Sequence, residues 1–179
     1  MKMTPEIKHF ANIKLLLLDV DGVLTDGGIY YSEHGENVKR FHTLDGQGLK
    51  YLMSSGVVPA VISGRSSDAL KVRLRDLGFA EIFLNVHNKV EVAEQLISRY
   101  ALGWEHVAAM GDDWPDLPML NKARVSFAPP NAHKEVIKRV AYVTQHLAGS
   151  GAVREVCDIV LKANGHYDSI LNSYLNESN

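Results

Sequence analysis

Two aspartates one residue apart carry the first chemical signal in this chain. Asp19 and Asp21 open the stretch Asp19-Val20-Asp21-Gly22-Val23-Leu24-Thr25-Asp26-Gly27, directly after Ile13 to Leu18, a run of five apolar residues and one lysine. That run is too short for a membrane span and suits a buried parallel strand. Two carboxylates and a glycine after such a strand put acid chemistry at the carboxyl edge of a sheet, where open α/β sheets bind ligands. Asp and Gly also favour plain surface turns, so this stretch alone does not decide between the two. Ser63-Gly64-Arg65 comes after the apolar run Val57 to Ile62. Its hydroxyl and backbone amides suit a phosphate oxygen, and Arg65 adds a planar cation; Ser63 or Ser66 could equally be only a helix N-cap. Lys89 opens a helix after a short strand, where an ammonium could neutralise phosphate charge, although most lysines are surface residues. Gly111-Asp112-Asp113-Trp114-Pro115-Asp116 brings further carboxylates to a strand end or forms a solvated acidic loop.

The elements that must position these residues alternate. Strands are expected at Val57–Ile62, Glu81–Leu84, His106–Met110, Val125–Ala128 and Ala141–Val143. Helices are expected at Gly48–Ser55, Asp68–Leu77, Val90–Tyr100, Leu117–Lys122 and His133–Arg139. Alternating β and α units imply an α/β, Rossmann-like parallel sheet with helices on both faces, and right-handed crossovers bring every strand's carboxyl end to one edge. Gly28–Ser32 and Glu36–His42 break the alternation as two arms of a protruding β-hairpin, turning at Glu33-His34-Gly35. Val153, Val156, Cys157 and Val160 recur at helical spacing, which makes Cys157 a core residue rather than a reactive thiol. Tyr30 and Tyr31 read as hairpin packing rather than sugar stacking, and Trp114 as either a substrate contact or a cover over apolar surface.

At 179 residues the chain fits one domain over 1–179, with the hairpin at 28–42 and a C-terminal helix and tail at 149–179. A net charge of -2 and a pI near 6.4 leave no electrostatic footprint for nucleic acid. A single cysteine excludes an intrachain disulfide framework and points to the cytoplasm. No apolar run approaches the ~20 residues of a membrane span. Met1 to Ala11 reads as a short lead-in without a signal-peptide core, and the polar stretch Asn164 to Asn179 as a partly disordered tail. The eight histidines lack paired spacing, so a zinc site is not expected.

Asp19 and Asp21, Ser63, Lys89, and Asp112 with Asp116 occur in order, each just after an expected strand. In this layout the chain resembles the haloacid dehalogenase superfamily. Only about forty residues separate Asp21 from Ser63, and the hairpin and one helix consume them, so a capless member is implied. The resemblance implies that Asp19 attacks phosphorus to form an aspartyl-phosphate, and that Asp21 protonates the leaving alkoxide and then activates water. It implies that Ser63 and Lys89 hold phosphoryl oxygens. Asp19, the backbone carbonyl of Asp21 and Asp112 would bind Mg²⁺, with Asp116 in support and Asp113 able to exchange roles with it.

The segments Asp19–Gly27, Phe41–Gly46, Ser63–Arg65, Asn88-Lys89, Gly111–Asp113 and Gly151–Asp158 further resemble the 3-deoxy-D-manno-octulosonate 8-phosphate phosphatases. That resemblance implies hydrolysis of this sugar acid phosphate in lipopolysaccharide biosynthesis. It also implies a homotetramer bundled by the hairpin, in which each subunit's tail helps close a neighbour's site. Substrate contacts are then expected from Asp21, His42, Thr43, Leu44, Asp45, Gly46, Lys50, Arg65, Arg73 and Lys89. The cations suit a substrate carrying both a carboxylate and a phosphate. Leu44 and Ser150 stand where that family usually has basic residues. A related phosphatase branch, acting on the nine-carbon keto-deoxy sugar acid, tends to carry Glu where this chain has Arg65, which favours the eight-carbon substrate. A phosphorylatable receiver-type switch also uses an acidic pocket, a Ser/Thr and a Lys, but its reactive Asp ends the third strand, not the first.

Overall fold

The structure, a computed structural model, describes residues 7–176. Its centre is a sheet of six parallel strands: β1 (Leu15–Leu18), β4 (Val58–Ile62), β5 (Glu81–Phe83), β6 (Val107–Met110), β7 (Val125–Ala128) and β8 (Tyr142–Val143). Across the sheet they run in the order β5-β4-β1-β6-β7-β8. β2 (Tyr30–Ser32) and β3 (Gly35–Val38) form the separate antiparallel hairpin. The helices are α1 (Thr43–Ser54), α2 (Asp68–Leu77), α3 (Lys89–Arg99), α4 (Leu117–Lys122), α5 (Lys134–Ile137), α6 (Ala152–Ala163) and α7 (Tyr167–Asn176).

The unbroken leucines of β1 make sense once both faces are covered. Leu16 and Leu18 pack with α1, α2 and α6 through Leu49, Leu52, Leu70, Leu74, Val156 and Val160. Leu15 and Leu17 pack with α3, α4 and α5 through Ala93, Leu96, Met119, Leu120 and Val136. Successive side chains therefore serve opposite cores, as strand geometry requires. Cys157 is buried in the first of these cores, and burial pushes its thiol pKa well up, in keeping with a packing role.

Four expectations need correction. α1 begins at Thr43, five residues before the expected start at Gly48. Gly46 falls outside the expected helix and Gly48 at its first position, but a side chain at either would strike its neighbours: Arg73 and Leu77 at Gly46, Arg154 and Cys157 at Gly48. Close helix packing, rather than a turn, explains both glycines. The second hairpin arm ends at Val38 instead of His42, because Lys39 turns inward and is buried. The polar C-terminal stretch contains a helix, α7, whose Tyr167 and Ile170 pack against the first core and whose Tyr174 ring meets Tyr51 edge-on at 5.8 Å. Residues 177–179 of that stretch, and 1–6 of the lead-in, lie outside the described residues; within the lead-in, Phe10 is buried against Phe127. Tyr30 and Tyr31 do not pack into the hairpin of this chain; they are exposed.

Candidate active site

The register of the central strands decides which residues meet. Leu18 pairs with Val61 on one side and Met110 on the other. Asp19, Ser63 and Asp112 consequently leave the sheet at one edge, as expected from right-handed crossovers. Backbone bonds fix the exits: Asp19 N–H donates to Met110 at 3.1 Å, Ser63 N–H to Phe83 at 2.9 Å, and Gly111 N–H to Phe127 at 3.3 Å. An open cleft of about 320 Å³ forms there, lined by Asp19, Asp21, Ser63, Arg65, Lys89, Asp112, Asp113 and Asp116 among others.

Local geometry explains the residues around the first motif. Thr25 is buried, and its hydroxyl accepts from Gly22 N–H at 3.4 Å and Gly27 N–H at 3.3 Å, which closes the loop on itself. Gly22 has φ +83°, in the left-handed region, and a Cβ there would run into the Asp112 carboxylate. Only glycine satisfies both demands. In the second motif the capping role goes to Ser67, whose Oγ accepts from Leu70 N–H at 3.3 Å, rather than to Ser63 or Ser66. Ser63 is buried at the cleft wall, its Oγ accepting from Arg65 N–H at 3.2 Å, which leaves its hydroxyl proton to donate.

Lys89 is no surface lysine. Asn88 caps α3, and Lys89 at its first position is buried, with Nζ 2.7 Å from Asp19 Oδ1 and 2.6 Å from Asp116 Oδ1. The other Asp116 oxygen accepts from the N–H groups of Asp112 at 3.0 Å and Asp113 at 3.3 Å. Asp116 therefore holds Lys89 and the acidic loop together, while Asp113 is exposed and caps the short turn Trp114–Asp116. Of the two, Asp116 is the one within the carboxylate cluster. Trp114 is exposed at the rim, its indole N–H donating to His133 Nδ1 at 2.9 Å.

Asp19, Asp112 and Asp116 each present a carboxylate oxygen within 4.8 Å of the others. Burial, then the Asp116 charge, pushes the Asp19 pKa up to about 6, although Lys89 pulls it back. Burial, then the charges of Asp19, Asp116 and Asp113, pushes Asp112 up to about 8. Converging oxygen donors with more negative charge than Lys89 offsets fit a hard divalent cation such as Mg²⁺. The pH consequence has a definite sign. A carboxyl whose pKa is raised by folding keeps its proton where the unfolded chain has lost it. Its contribution to stability is therefore present at acid pH and is lost as pH rises from the unfolded value toward the folded one. In EDTA, Tm should fall between about pH 5 and about pH 8. Excess Mg²⁺ should raise Tm more at the upper end, where binding displaces fewer protons. Calorimetry showing a Tm that does not decline over this window would contradict the clustered carboxylates.

The remaining candidates divide between two places. Asp21, Arg65 and Lys89 line the cleft. His42, Asp45, Gly46 and Arg73 line a separate shallow depression beside Leu24 and Phe41, and Thr43, Leu44 and Lys50 are exposed on α1. The Asp45 carboxylate is occupied within the chain, accepting from the N–H groups of Arg154 at 2.8 Å and Gly151 at 3.4 Å at the start of α6. Gly149 sits against the backbone of Thr25 and Asp26. Two site residues escaped the sequence reading altogether. Lys39 Nζ lies 2.5 Å from Asp21 Oδ1 and 2.5 Å from Glu36 Oε1, and Glu36 Oε2 lies 2.6 Å from Arg65 Nη2. A lysine and a glutamate three residues apart in a hairpin carry no distinctive pattern; the one available hint was their place in the chain between the first two motifs.

Residues 75–156 match the haloacid dehalogenase-like hydrolase family model. The chain is 41% identical over 162 residues to the 3-deoxy-D-manno-octulosonate 8-phosphate phosphatase of Escherichia coli (strain K12), a match covering 90% of this chain and 86% of that protein. Among solved structures it is similar to the phosphatase of the same name from Moraxella catarrhalis, in complex with magnesium ion, phosphate ion and KDO. That match has a TM-score of 0.90 and 35% identity, covering 94% of this chain and 97% of that one. The cobalt-bound deoxy-D-mannose-octulosonate 8-phosphate phosphatase of Haemophilus influenzae matches with a TM-score of 0.88 and 37% identity, covering 96% and 100%.

Proposed function

Because the chain belongs to the 3-deoxy-D-manno-octulosonate 8-phosphate phosphatases, within the haloacid dehalogenase-like hydrolases, we propose that it hydrolyses this phosphate ester to the free sugar acid and phosphate. One observation carries the reading: a carboxylate nucleophile, Asp19, stands 2.7 Å from a buried ammonium at the edge of a parallel sheet, with Asp21 two residues on. Asp19, Asp112 and the backbone carbonyl of Asp21 would hold Mg²⁺, which, when bound, offsets the repulsion between carboxylate and phosphate dianion.

In the first step an Asp19 oxygen forms a bond to phosphorus as the ester P–O bond breaks, and the Asp21 carboxyl gives its proton to the departing alkoxide. In the second, the Asp21 carboxylate takes a proton from water, whose oxygen attacks phosphorus and breaks the bond to Asp19. Ser63 and Lys89 hold the phosphoryl oxygens and stabilise the charge spread over them. Arg65, at the cleft mouth, suits the substrate's carboxylate, which a neutral sugar phosphate lacks. Phosphate release screened across sugar phosphates with Mg²⁺ should give the highest kcat/KM with the eight-carbon acid. A faster nine-carbon acid or neutral sugar would overturn the substrate assignment.

The reading extends to assembly. The active form is a homo-oligomer, a tetramer with the hairpin at its centre, in the cytoplasm and on the path to lipopolysaccharide. Exposed Ile29, Tyr30, Tyr31 and Val38 on a hairpin that pairs with no other strand among the described residues support this. The division of His42, Thr43, Leu44, Asp45, Gly46, Lys50 and Arg73 from the cleft supports it too, since an adjoining copy could bring one group to the other. The chain acts as one domain in this assembly. Light scattering over a dilution series should register the oligomer, with activity lost on dissociation; a fully active monomer would sink it.

A further inference from the structure

We infer that Lys39, anchored by Glu36, is a positioning residue for Asp21 and so for proton transfer to the leaving group. The inference rests on the phosphatase reading and concerns a residue outside the four motifs. Lys39 lies just beyond β3, yet its side chain is 1% exposed. A buried ammonium needs partners, and it has two carboxylate oxygens at 2.5 Å each, Asp21 Oδ1 and Glu36 Oε1. Glu36 in turn binds Arg65 at 2.6 Å, and Arg65 Nε stands 3.6 Å from Asp21 Oδ2. Asp21, Lys39, Glu36 and Arg65 thus close a ring of alternating charge.

The ring has a chemical consequence. With Oδ1 held by Lys39 at 2.5 Å, the torsions of the Asp21 side chain are restrained, and Oδ2, with Arg65 Nε beyond hydrogen-bond distance at 3.6 Å, is the oxygen left to exchange the proton. Proton transfer needs that oxygen within hydrogen-bond reach of the leaving oxygen, and a misplacement of about 1 Å can cost on the order of a hundredfold. Lys39 itself touches neither phosphorus nor the leaving group; it acts through Asp21.

Leaving-group chemistry separates this role from simple docking of the hairpin. An alkoxide must be protonated as it departs, whereas p-nitrophenolate departs without a proton. Single-turnover mixing with Mg²⁺ would compare Lys39→Met with the wild type on 3-deoxy-D-manno-octulosonate 8-phosphate and on p-nitrophenyl phosphate. Phosphorylation by the sugar ester should slow about a hundredfold, and the first equivalent of p-nitrophenolate should slow at least ten times less. Glu36→Gln keeps the side-chain volume while loosening Lys39, so it should move both rates the same way by about a tenth as much. It carries the test if Lys39→Met does not fold. Equal slowing of both esters, or wild-type rates in both variants, overturns the inference and leaves the phosphatase reading standing. A wild-type protein inactive on the sugar ester overturns that reading and this inference with it.

Discussion

Asp19→Asn is expected to abolish turnover and leave the fold intact. The amide fills nearly the same volume, and Lys89 keeps its second partner, Asp116, at 2.6 Å. What disappears is the anionic oxygen that must bond to phosphorus, since a neutral amide is too weak a nucleophile. Loss of a nucleophile costs on the order of 10⁶-fold in kcat. The stability change should run the other way in metal-free protein. Asp19 raises the pKa of Asp112 and is itself raised by Asp116, so removing its charge relieves repulsion in the acidic cluster. Phosphate release and calorimetry on the same sample check both halves. Turnover persisting in the variant would remove Asp19 from the mechanism.

Lys89→Met should be damaging in both respects. The ammonium is buried between Asp19 and Asp116; burial works against its charge, but the two carboxylates outweigh it and raise its pKa above the ordinary lysine value. Removing it leaves two carboxylates facing each other without a cation, and breaking a buried pair costs about 3–5 kcal/mol. The cost should depend on pH. Lys89 lowers the Asp19 pKa, so without it Asp19 takes up a proton more readily and the penalty shrinks at acid pH. Turnover should fall at least about a hundredfold, as when one donor to a developing anion is lost. Unfolding curves near pH 5 and pH 8 would test the trend; equal penalties at both would contradict it.

The candidate catalytic residues were legible because chemistry demands particular types at strand ends. Asp19, Ser63, Lys89 and Asp112 each follow a short apolar run, and the sheet register brings all four to one cleft. Lys39 and Glu36 were not legible, because their role arises from a chain reversal that buries a lysine, and nothing local distinguishes it from an outward-facing one. The start of α1 was hidden by glycines whose reason lies across the helix interface, in Arg73 and Arg154. The last helix is a different case. Tyr167, Ile170, Leu171 and Tyr174 recur at helical spacing, a signal masked by the polarity of the residues between them.

The bond from Asp45 to the start of α6 joins residues 109 positions apart in the chain. Its consequence concerns cooperativity. If α6 detached, Asp45 would lose those donors, and the apolar side chains of both helices would meet water together. α1 and α6 are therefore expected to open as one unit, and their slowest-exchanging amides should share a common opening free energy under native conditions. A chain cut before Gly151 would lose far more than a tail: it would remove the helix that Asp45 caps and that shelters the first strand alongside α1.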